Sequence, residues 1–515
     1  MSRPDTPEAT PPGSRWLPLV AVCLGTFMLL VDVTIVNVAL PDMAIDLEAS
    51  FSGLQWVVDV YALALAALLL LVGSISDTVG RRRTYLVGLA VFTVASLACG
   101  VAPSEGALIA ARAVQGVGAA AMFATTVALL HASYDGRDRG VAFGVWGATA
   151  GAAAAAGPIA GGLLTGGLSW RWIFFVNLPL GIATILLARR VVRESRNPQR
   201  PRIDWAGGGA FTVAAGALTY ALVRVHDEGW TSAATLGILA LAAVALGAFV
   251  VIERRTPQPL LDLGLLRRPA FTGMVLSAVA LSAAAFASLV YSSIWLQTVL
   301  GLSPIEAGLV TLPLSGLAFV VAGASGRHLH RLSPRWVVGG GLALIGLGDL
   351  VMAGLDAGSS WARLLPGMAL IGLGVGLINP LLVSTAMASV PPQQGGMAAG
   401  AVNTGRQLGL AVGIAILGSV FSSRIGDELA GPDALAHGVA SGGTQRILDA
   451  APSGGRAQLD DAIHAAVASG LGTTLLVAGL VGVLGGALVV ALVRRPRAHA
   501  DEAPAPAREP VAVAD

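Results

Sequence analysis

The chain contains no lysine: all 32 of its basic residues are arginine. That absence alone excludes the phosphate-cradling G-x-x-x-x-G-K-[ST] loop, so a bound nucleotide is not a direct energy source. Cysteine is nearly absent too. Cys23 and Cys99 both fall in apolar runs, which excludes a disulfide scaffold. Charge is sparse, at 12% of residues against the usual ~25%. A net charge of +2 over 515 residues, with no basic aromatic tract, gives no footing for nucleic acid. The seven histidines, at positions 131, 226, 328, 330, 437, 464 and 499, lie in loops or tails without metal-ligand spacing. No Ser/His/Asp order coincides with a strained nucleophile turn. Enzyme chemistry, a metal and a cofactor are therefore not expected.

What the chain has in excess is apolar length. It is 55% hydrophobic with a mean hydropathy of +0.75. Residues 1–15 are polar and proline-rich, and the run that follows is too long for a signal-peptide core, so Trp16–Leu40 reads as a retained span. Apolar runs of about 17–25 residues recur near 16–40, 54–75, 84–101, 106–130, 141–164, 171–188, 206–223, 233–252, 271–296, 305–325, 336–355, 361–386, 398–421 and 470–493. An all-α polytopic membrane protein of fourteen spans is expected.

Arginine distribution orients it. Arg81–Arg83, Arg137 and Arg139, Arg189–Arg202, Arg254–Arg268, Arg327–Arg335 and Arg494–Arg497 follow even-numbered spans. Asp42, Asp46, Glu48, Glu105, Asp227 and Glu228 fall in the opposite loops. The positive-inside rule then places both termini in the cytoplasm. The stretch Ser422–Gly470 between the last two spans has mixed charge and weak helical periodicity. It reads either as a helical hairpin over the outer mouth or as a plain linker, and residues 494–515 read as a disordered tail.

One residue stands out against this background. Asp32 lies inside the apolar run Leu24–Leu40, where a carboxylate costs several kcal/mol unless it is protonated or paired. It either serves exchange of a proton or is satisfied by a neighbouring helix. Arg112, about six residues into span four, lies too deep for the positive-inside rule and needs a carboxylate or carbonyl partner. Asp349 in span eleven fits no motif and lies where it could reach water near an outer end.

The chain also repeats itself. GSISDTVGRRR (Gly73–Arg83), after span two, matches GRHLHRLSPR (Gly326–Arg335), after span ten. RAVQGVGAAAMF (Arg112–Phe123) matches MALIGLGVGLIN (Met368–Asn379), pairing Gly116 and Gly118 with Gly372 and Gly374. Two six-span halves result, 16–190 and 271–493, with two inserted helices over 206–252 and linkers at 191–205 and 253–270. At this register Asp77 corresponds to His330 and Arg112 to Met368. The N-terminal half is thus expected to hold the ionisable machinery, and the C-terminal half to form a hydrophobic substrate wall.

These stretches resemble the major facilitator superfamily. GSISDTVGRRR resembles its G-x-x-x-D-x-x-G-R-[KR]-[KR] loop, LIAARAVQGVGAAA (Leu108–Ala121) its span-four motif with a buried arginine, and AAAAGPIAGG (Ala153–Gly162) the span-five motif of its antiporters. LLVDVTIVNVALP (Leu29–Pro41), WRWIFFVNLPLG (Trp170–Gly181) and AGAVNTGRQLGLAVG (Ala399–Gly413) resemble its fourteen-span drug:proton antiporters. The resemblance implies the major facilitator fold, two six-helix bundles plus two additional central helices. It also implies export of a hydrophobic small molecule, of cationic type, in exchange for protons across the cell membrane, by a protein working as a monomer in the bilayer. An exporter dedicated to one endogenous metabolite or antibiotic is the rival within transport. A lipid enzyme would need an acid/base or metal set that is absent.

The resemblance assigns roles as expectations. Asp32 and Arg112 would couple protons. Asp59, Tyr61 and Asn379 would bind substrate, with Asp59 resembling the span-two acid of quaternary-ammonium exporters and Tyr61 and Trp56 offering aromatic faces to a cation. Those exporters can carry an acid in span ten as well, and this chain has none there. Gating would fall to Gly73, Asp77, Gly80, Arg81 and Arg82 in the loop, and to Gly157, Pro158, Gly161 and Gly162 where span five bends.

Overall fold

Helices account for the molecule because a bilayer leaves no other way to satisfy a single segment's backbone polar groups. The computed structural model describes residues 14–49, 51–196, 203–328, 332–391, 394–429, 433–440, 444, 447–448 and 456–493. Its N-terminal half comprises α1 (Leu17–Asp46), α2 (Phe51–Val79), α3 (Arg81–Gly100), α4 (Glu105–Ser133), α5 (Gly136–Gly167), α6 (Trp172–Phe175) and α7 (Asn177–Val191). The inserted pair is α8 (Trp205–Glu228) and α9 (Ala233–Arg255). The C-terminal half comprises α10 (Pro269–Leu281), a π-helical turn Ser282–Phe286, α11 (Ala287–Thr298), α12 (Pro304–Val310), α13 (Leu312–His328), α14 (Pro334–Met352), α15 (Leu365–Ala388), α16 (Gly395–Leu429), α17 (Asp433–Ala440) and α18 (Arg456–Leu492). No strand occurs among the described residues.

Twelve described helices are long and apolar enough to cross a membrane. The other two expected places are also helical: α5 fills one, and α12 with α13 fills the second. Three expected spans are interrupted, each for a local reason. Pro313 lacks an N–H and crowds the carbonyl one turn back, which separates α12 from α13 at Thr311. The π turn breaks the span formed by α10 and α11. Before α7, the chain is tied down by Trp170 and Arg171, which both donate to the Asp46 carboxylate at the far end of α1. The Arg171 guanidinium and then the Trp170 indole hold that carboxyl below its usual range. Part of Ser422–Gly470 is also ordered: α16 continues to Leu429, α17 packs on it, and α18 begins at Arg456.

Small residues set the helix spacing, as lipid offers no hydrophobic drive between helices. A methyl group on Gly116 would lie 2.7 Å from the Tyr61 carbonyl of α2, and one on Gly118 would lie 2.6 Å from the Phe92 amide of α3. In the C-terminal half Gly372 meets the Leu314 carbonyl of α13, while Gly374 meets the Gly341 carbonyl of α14. The two glycine pairs do the same work, one seating the helix two spans back and the other its neighbour. The repeat seen in sequence is thereby a repeat in packing.

This packing generates a contrast in stability. Gly118→Val forces branched carbon into the α3–α4 contact and is expected to cost about 1–3 kcal/mol. Gly237→Ala in α9 meets nothing within 4 Å, and is expected to be neutral or to stabilise by roughly 0.5–1 kcal/mol through helix propensity. Thermal unfolding in detergent reads both; equal melting temperatures for the two variants would contradict the packing account.

Candidate functional site

Five helices of the N-terminal half converge on the Asp32 carboxylate. Asp32 is 0% exposed and Arg112 1% exposed. The Arg112 guanidinium donates to Asp32 Oδ2 at 2.5 Å, to Gln115 Oε1 at 2.7 Å and to the Val57 carbonyl at 2.9 Å. Asp32 Oδ1 accepts from Gln115 Nε2 at 2.8 Å and from Asn177 Nδ2 at 2.9 Å. Gln115 and Asn177 also donate to Ser96 Oγ, whose hydroxyl donates in turn to the Phe92 carbonyl. Arg112 and Gln115 share a face of α4 because they are three residues apart. Tyr61 lies beneath the guanidinium, 4.3 Å from ring centre to Cζ, and its hydroxyl donates to the Leu29 carbonyl.

The acid is therefore not isolated in lipid, as α1 alone suggests; it is paired, with three donors on two oxygens. As carboxylate and guanidinium the pair carries no net charge. Gln115, Asn177 and Ser96 were passed over in the sequence. The signals were present: a glutamine one turn from the buried arginine, and an asparagine in the span-six motif.

The expected cation cage is not assembled. Trp56 and Tyr61 are five residues apart on α2 and face different ways. Trp56 packs on Tyr220 of α8 with ring centroids 5.3 Å apart, while Tyr61 is covered by Arg112. Asp59, half-buried, lies one turn from Trp56 and shares its side of α2. Tyr61 thus sits in the ionic network, under the Arg112 guanidinium. Asn379 of α15 is 7% exposed, makes no hydrogen bond, and sits 3.4 Å from where a methyl on Gly147 of α5 would be, so it lies where the halves meet.

The loop after α2 divides into two parts with different attachments. Gly80 adopts φ 128°, a conformation that glycine alone takes readily, and this turns the chain into α3. Glu194, beyond α7, accepts from the Arg82 and Arg83 amides and so caps α3. Arg82 also donates to the Arg189 carbonyl at 2.6 Å. All of this stays within one half. Asp77 instead faces the other half: Arg81 grips it from Nε at 2.9 Å, and a methyl on Gly396 in the first turn of α16 would lie 2.6 Å from its carboxylate. Close by, Gly144 of α5 approaches the Ala322 carbonyl of α13. The halves are shut against each other at this arginine-rich end.

The glycines of the loop and of span five differ in their surroundings. Gly73 has open space around it, so it permits no close approach there. The α5 helix runs unbroken through the G-P-x-x-G-G motif. Gly157 and Gly161 serve instead to seat α1, meeting Thr34 and Ile35 just after Asp32. Gly162 is half-buried beside them in sequence, the Pro158 side chain lies outside the described residues, and so does His330.

The C-terminal half is not a plain hydrophobic wall. Asp349, which by its place in the sequence could reach water, is instead 0% exposed, with the Ser288 hydroxyl beside it. Arg406 of α16, in the AGAVNTGRQLGLAVG stretch but not singled out from sequence, is half-buried and has no ion-pair or hydrogen-bond partner. No group of three or more metal-binding side chains occurs among the described residues.

The Asp32–Arg112 pair yields a stability prediction. Removing one partner of a buried pair leaves an uncompensated charge and costs about 3–5 kcal/mol. Arg112→Gln should cost that much, and Arg112→Gln with Asp32→Asn distinctly less than the sum of the singles. Additive losses in chemical or thermal unfolding would show that the two groups do not act as a pair.

The family model described as Major Facilitator Superfamily matches residues 22–414. The chain is 38% identical over 411 residues to the multidrug resistance protein Stp of Mycobacterium tuberculosis, covering 80% of this chain and 76% of that one. It is 34% identical over 517 residues to the tetracenomycin C resistance and export protein of Streptomyces glaucescens, covering 96% and 94%. The multidrug efflux pump LfrA of Mycolicibacterium smegmatis is 31% identical over 95% of this chain and 99% of that one. Among solved structures, the human organic anion transporter MFSD10 superposes with a TM-score of 0.61 at 15% identity, covering 93% of this chain and 100% of that one, a likeness of fold. With a matched family model over most of its length, relatives this similar and an arrangement of helices to suit, the chain belongs to the major facilitator superfamily and is a multi-pass membrane transporter of the drug-efflux type.

Proposed function

We propose that the chain is a proton-coupled antiporter that expels a hydrophobic small molecule by alternating access. The observation that carries this reading is the Asp32 carboxylate, held by Arg112 and Gln115 from α4 and by Asn177 from α7. A group whose donors come from separate helices changes the preferred packing of those helices when it takes a proton. In this reading the arginine-rich end is cytoplasmic, both termini lie inside, and all fourteen segments cross the bilayer as one functional monomer. The end closed by Asp77 then faces the cytoplasm, and a proton from outside reaches Asp32, releases Arg112 and biases the halves towards the inward-open state. Substrate binding and proton loss reverse the bias.

The relatives are named both for multidrug resistance and for a single antibiotic, so breadth is left at hydrophobic small molecules. Asp59 lies on the Trp56–Tyr220 side of α2 and away from Tyr61, which Arg112 covers, so these residues do not form one cage around a cation.

Asp32→Asn is expected to abolish uphill export in proteoliposomes while leaving substrate binding in detergent measurable. Normal proton-driven transport by this variant would remove Asp32 from the coupling step. Arg112→Lys should fail nearly as badly as Arg112→Ala, since an ammonium cannot reproduce a planar fork that spans Asp32, Gln115 and the Val57 carbonyl.

Asp77 acts on the state equilibrium in this reading, by about 1–3 kcal/mol. Asp77→Asn should slow transport and leave substrate affinity nearly unchanged. Selective loss of affinity with normal turnover would move Asp77 into the binding site.

A further inference from the structure

Arg406 presents a problem that the coupling network does not solve. It lies eleven residues past Gly395 in α16, about 16 Å from that helix end and hence near mid-membrane. A guanidinium stays charged there and calls for a counter-charge or several acceptors. Arg112 shows what a satisfied arginine looks like in this fold: three acceptors, one of them a carboxylate. Arg406 has none, yet keeps part of its surface accessible. The carboxylates on the helices packed against α16 do not reach it. Asp77 is gripped by Arg81, and Asp460 lies beside His464 at the outer start of α18. Helices α10, α11 and α15 carry no acid at all.

Two further side chains with hydrogen-bonding capacity and no partner stand at the same level. Asn403 is three residues from Arg406 on the same helix, is 1% exposed, and makes no hydrogen bond. Asn379 lies nine residues before the end of α15 at Ala388, which puts it about 14 Å from that end. Helices α15 and α16 pack on one another, and Asn379 faces the N-terminal half across Gly147. A fixed cation and two unpartnered amides thus occur at similar depths on α15 and α16, two helices that pack on one another.

We infer that Arg406, with Asn379 and Asn403, receives an anionic group of the exported molecule, so that the substrates are apolar compounds bearing a carboxylate, phenolate or enolate. This deepens the exporter reading and rests on it. The guanidinium supplies two parallel N–H donors to the anion, and the amides supply or accept further hydrogen bonds according to its substituents. The apolar remainder of the molecule lies against half-buried Leu410 and Ile414 on the α16 face that follows Arg406.

The test uses the full chain purified in detergent and three probes that share an aromatic ring system: a dye bearing a carboxylate, its uncharged methyl ester, and a quaternary-ammonium counterpart. Equilibrium binding by fluorescence needs no proton gradient. Wild type should bind the carboxylate dye more tightly than the ester or the cation. Arg406→Gln should weaken carboxylate binding by about tenfold or more, leave ester binding within about twofold, and leave the melting temperature unchanged, with Arg406→Lys intermediate. Equal or tighter binding of the ester or the cation by wild type would overturn the inference, and this arm needs no variant to fold. Equal loss for carboxylate and ester in Arg406→Gln would make Arg406 a structural residue and overturn it likewise. If the carboxylate preference holds but no dye moves with a proton gradient in proteoliposomes, the coupling reading fails and the anion site stands.

Discussion

A charge taken into the membrane has to be answered by the protein, and the pairing of Asp32 with Arg112 is the answer on which the N-terminal half is built. The pair works only if α1, α2, α3, α4 and α7 hold their register. Glycine supplies that register. Gly116, one turn from Arg112, lets α4 approach α2 until the guanidinium reaches the Val57 carbonyl and covers Tyr61. Gly157 and Gly161 do the same for α1, directly after Asp32. A larger residue at these points would separate donor from acceptor, which at short range in a low dielectric costs far more than the lost van der Waals contact.

The two halves share a skeleton but not a polar content. Gly116 and Gly118 have structural equivalents in Gly372 and Gly374, so backbone spacing is conserved between the repeats. The N-terminal half satisfies its buried charges internally. The C-terminal half leaves Asn379, Asn403 and Arg406 without side-chain hydrogen-bond partners. Such groups are costly in a membrane unless something else meets them. In a transporter that cost is tolerable where the missing partner is the cargo or a proton.

The loop after α2 makes two kinds of contact. Glu194 caps α3 and binds the loop to its own half, whatever the other half does. Asp77 touches the first turn of α16, in the other half, where a carboxylate is favoured by the exposed amides of a helix start. One short segment thereby carries a contact within its own half and a contact to the other half.

Class, span positions and the repeat were legible in the sequence because they depend on local composition: apolar length, arginine bias and the recurrence of glycine at fixed offsets. Asp32 and Arg112 were legible as well, since a charge in an apolar run is conspicuous without any knowledge of its neighbours. Their pairing was not, nor were the contributions of Gln115, Asn177 and Ser96, because which faces of α1, α3, α4 and α7 meet is decided by helix rotation and packing. The same limit misled the reading of α2. Tyr61 and Asp59 are close in sequence, but the helix turns them towards different neighbours, and packing gave Tyr61 to Arg112. Gly73 and Gly161 look alike in a motif; only the assembled bundle decides that one meets empty space and the other meets α1. Arg406 makes the point most sharply. Its position in α16 was plain from the chain, but the lack of any partner is a property of the surrounding helices, and only their tertiary arrangement could reveal it.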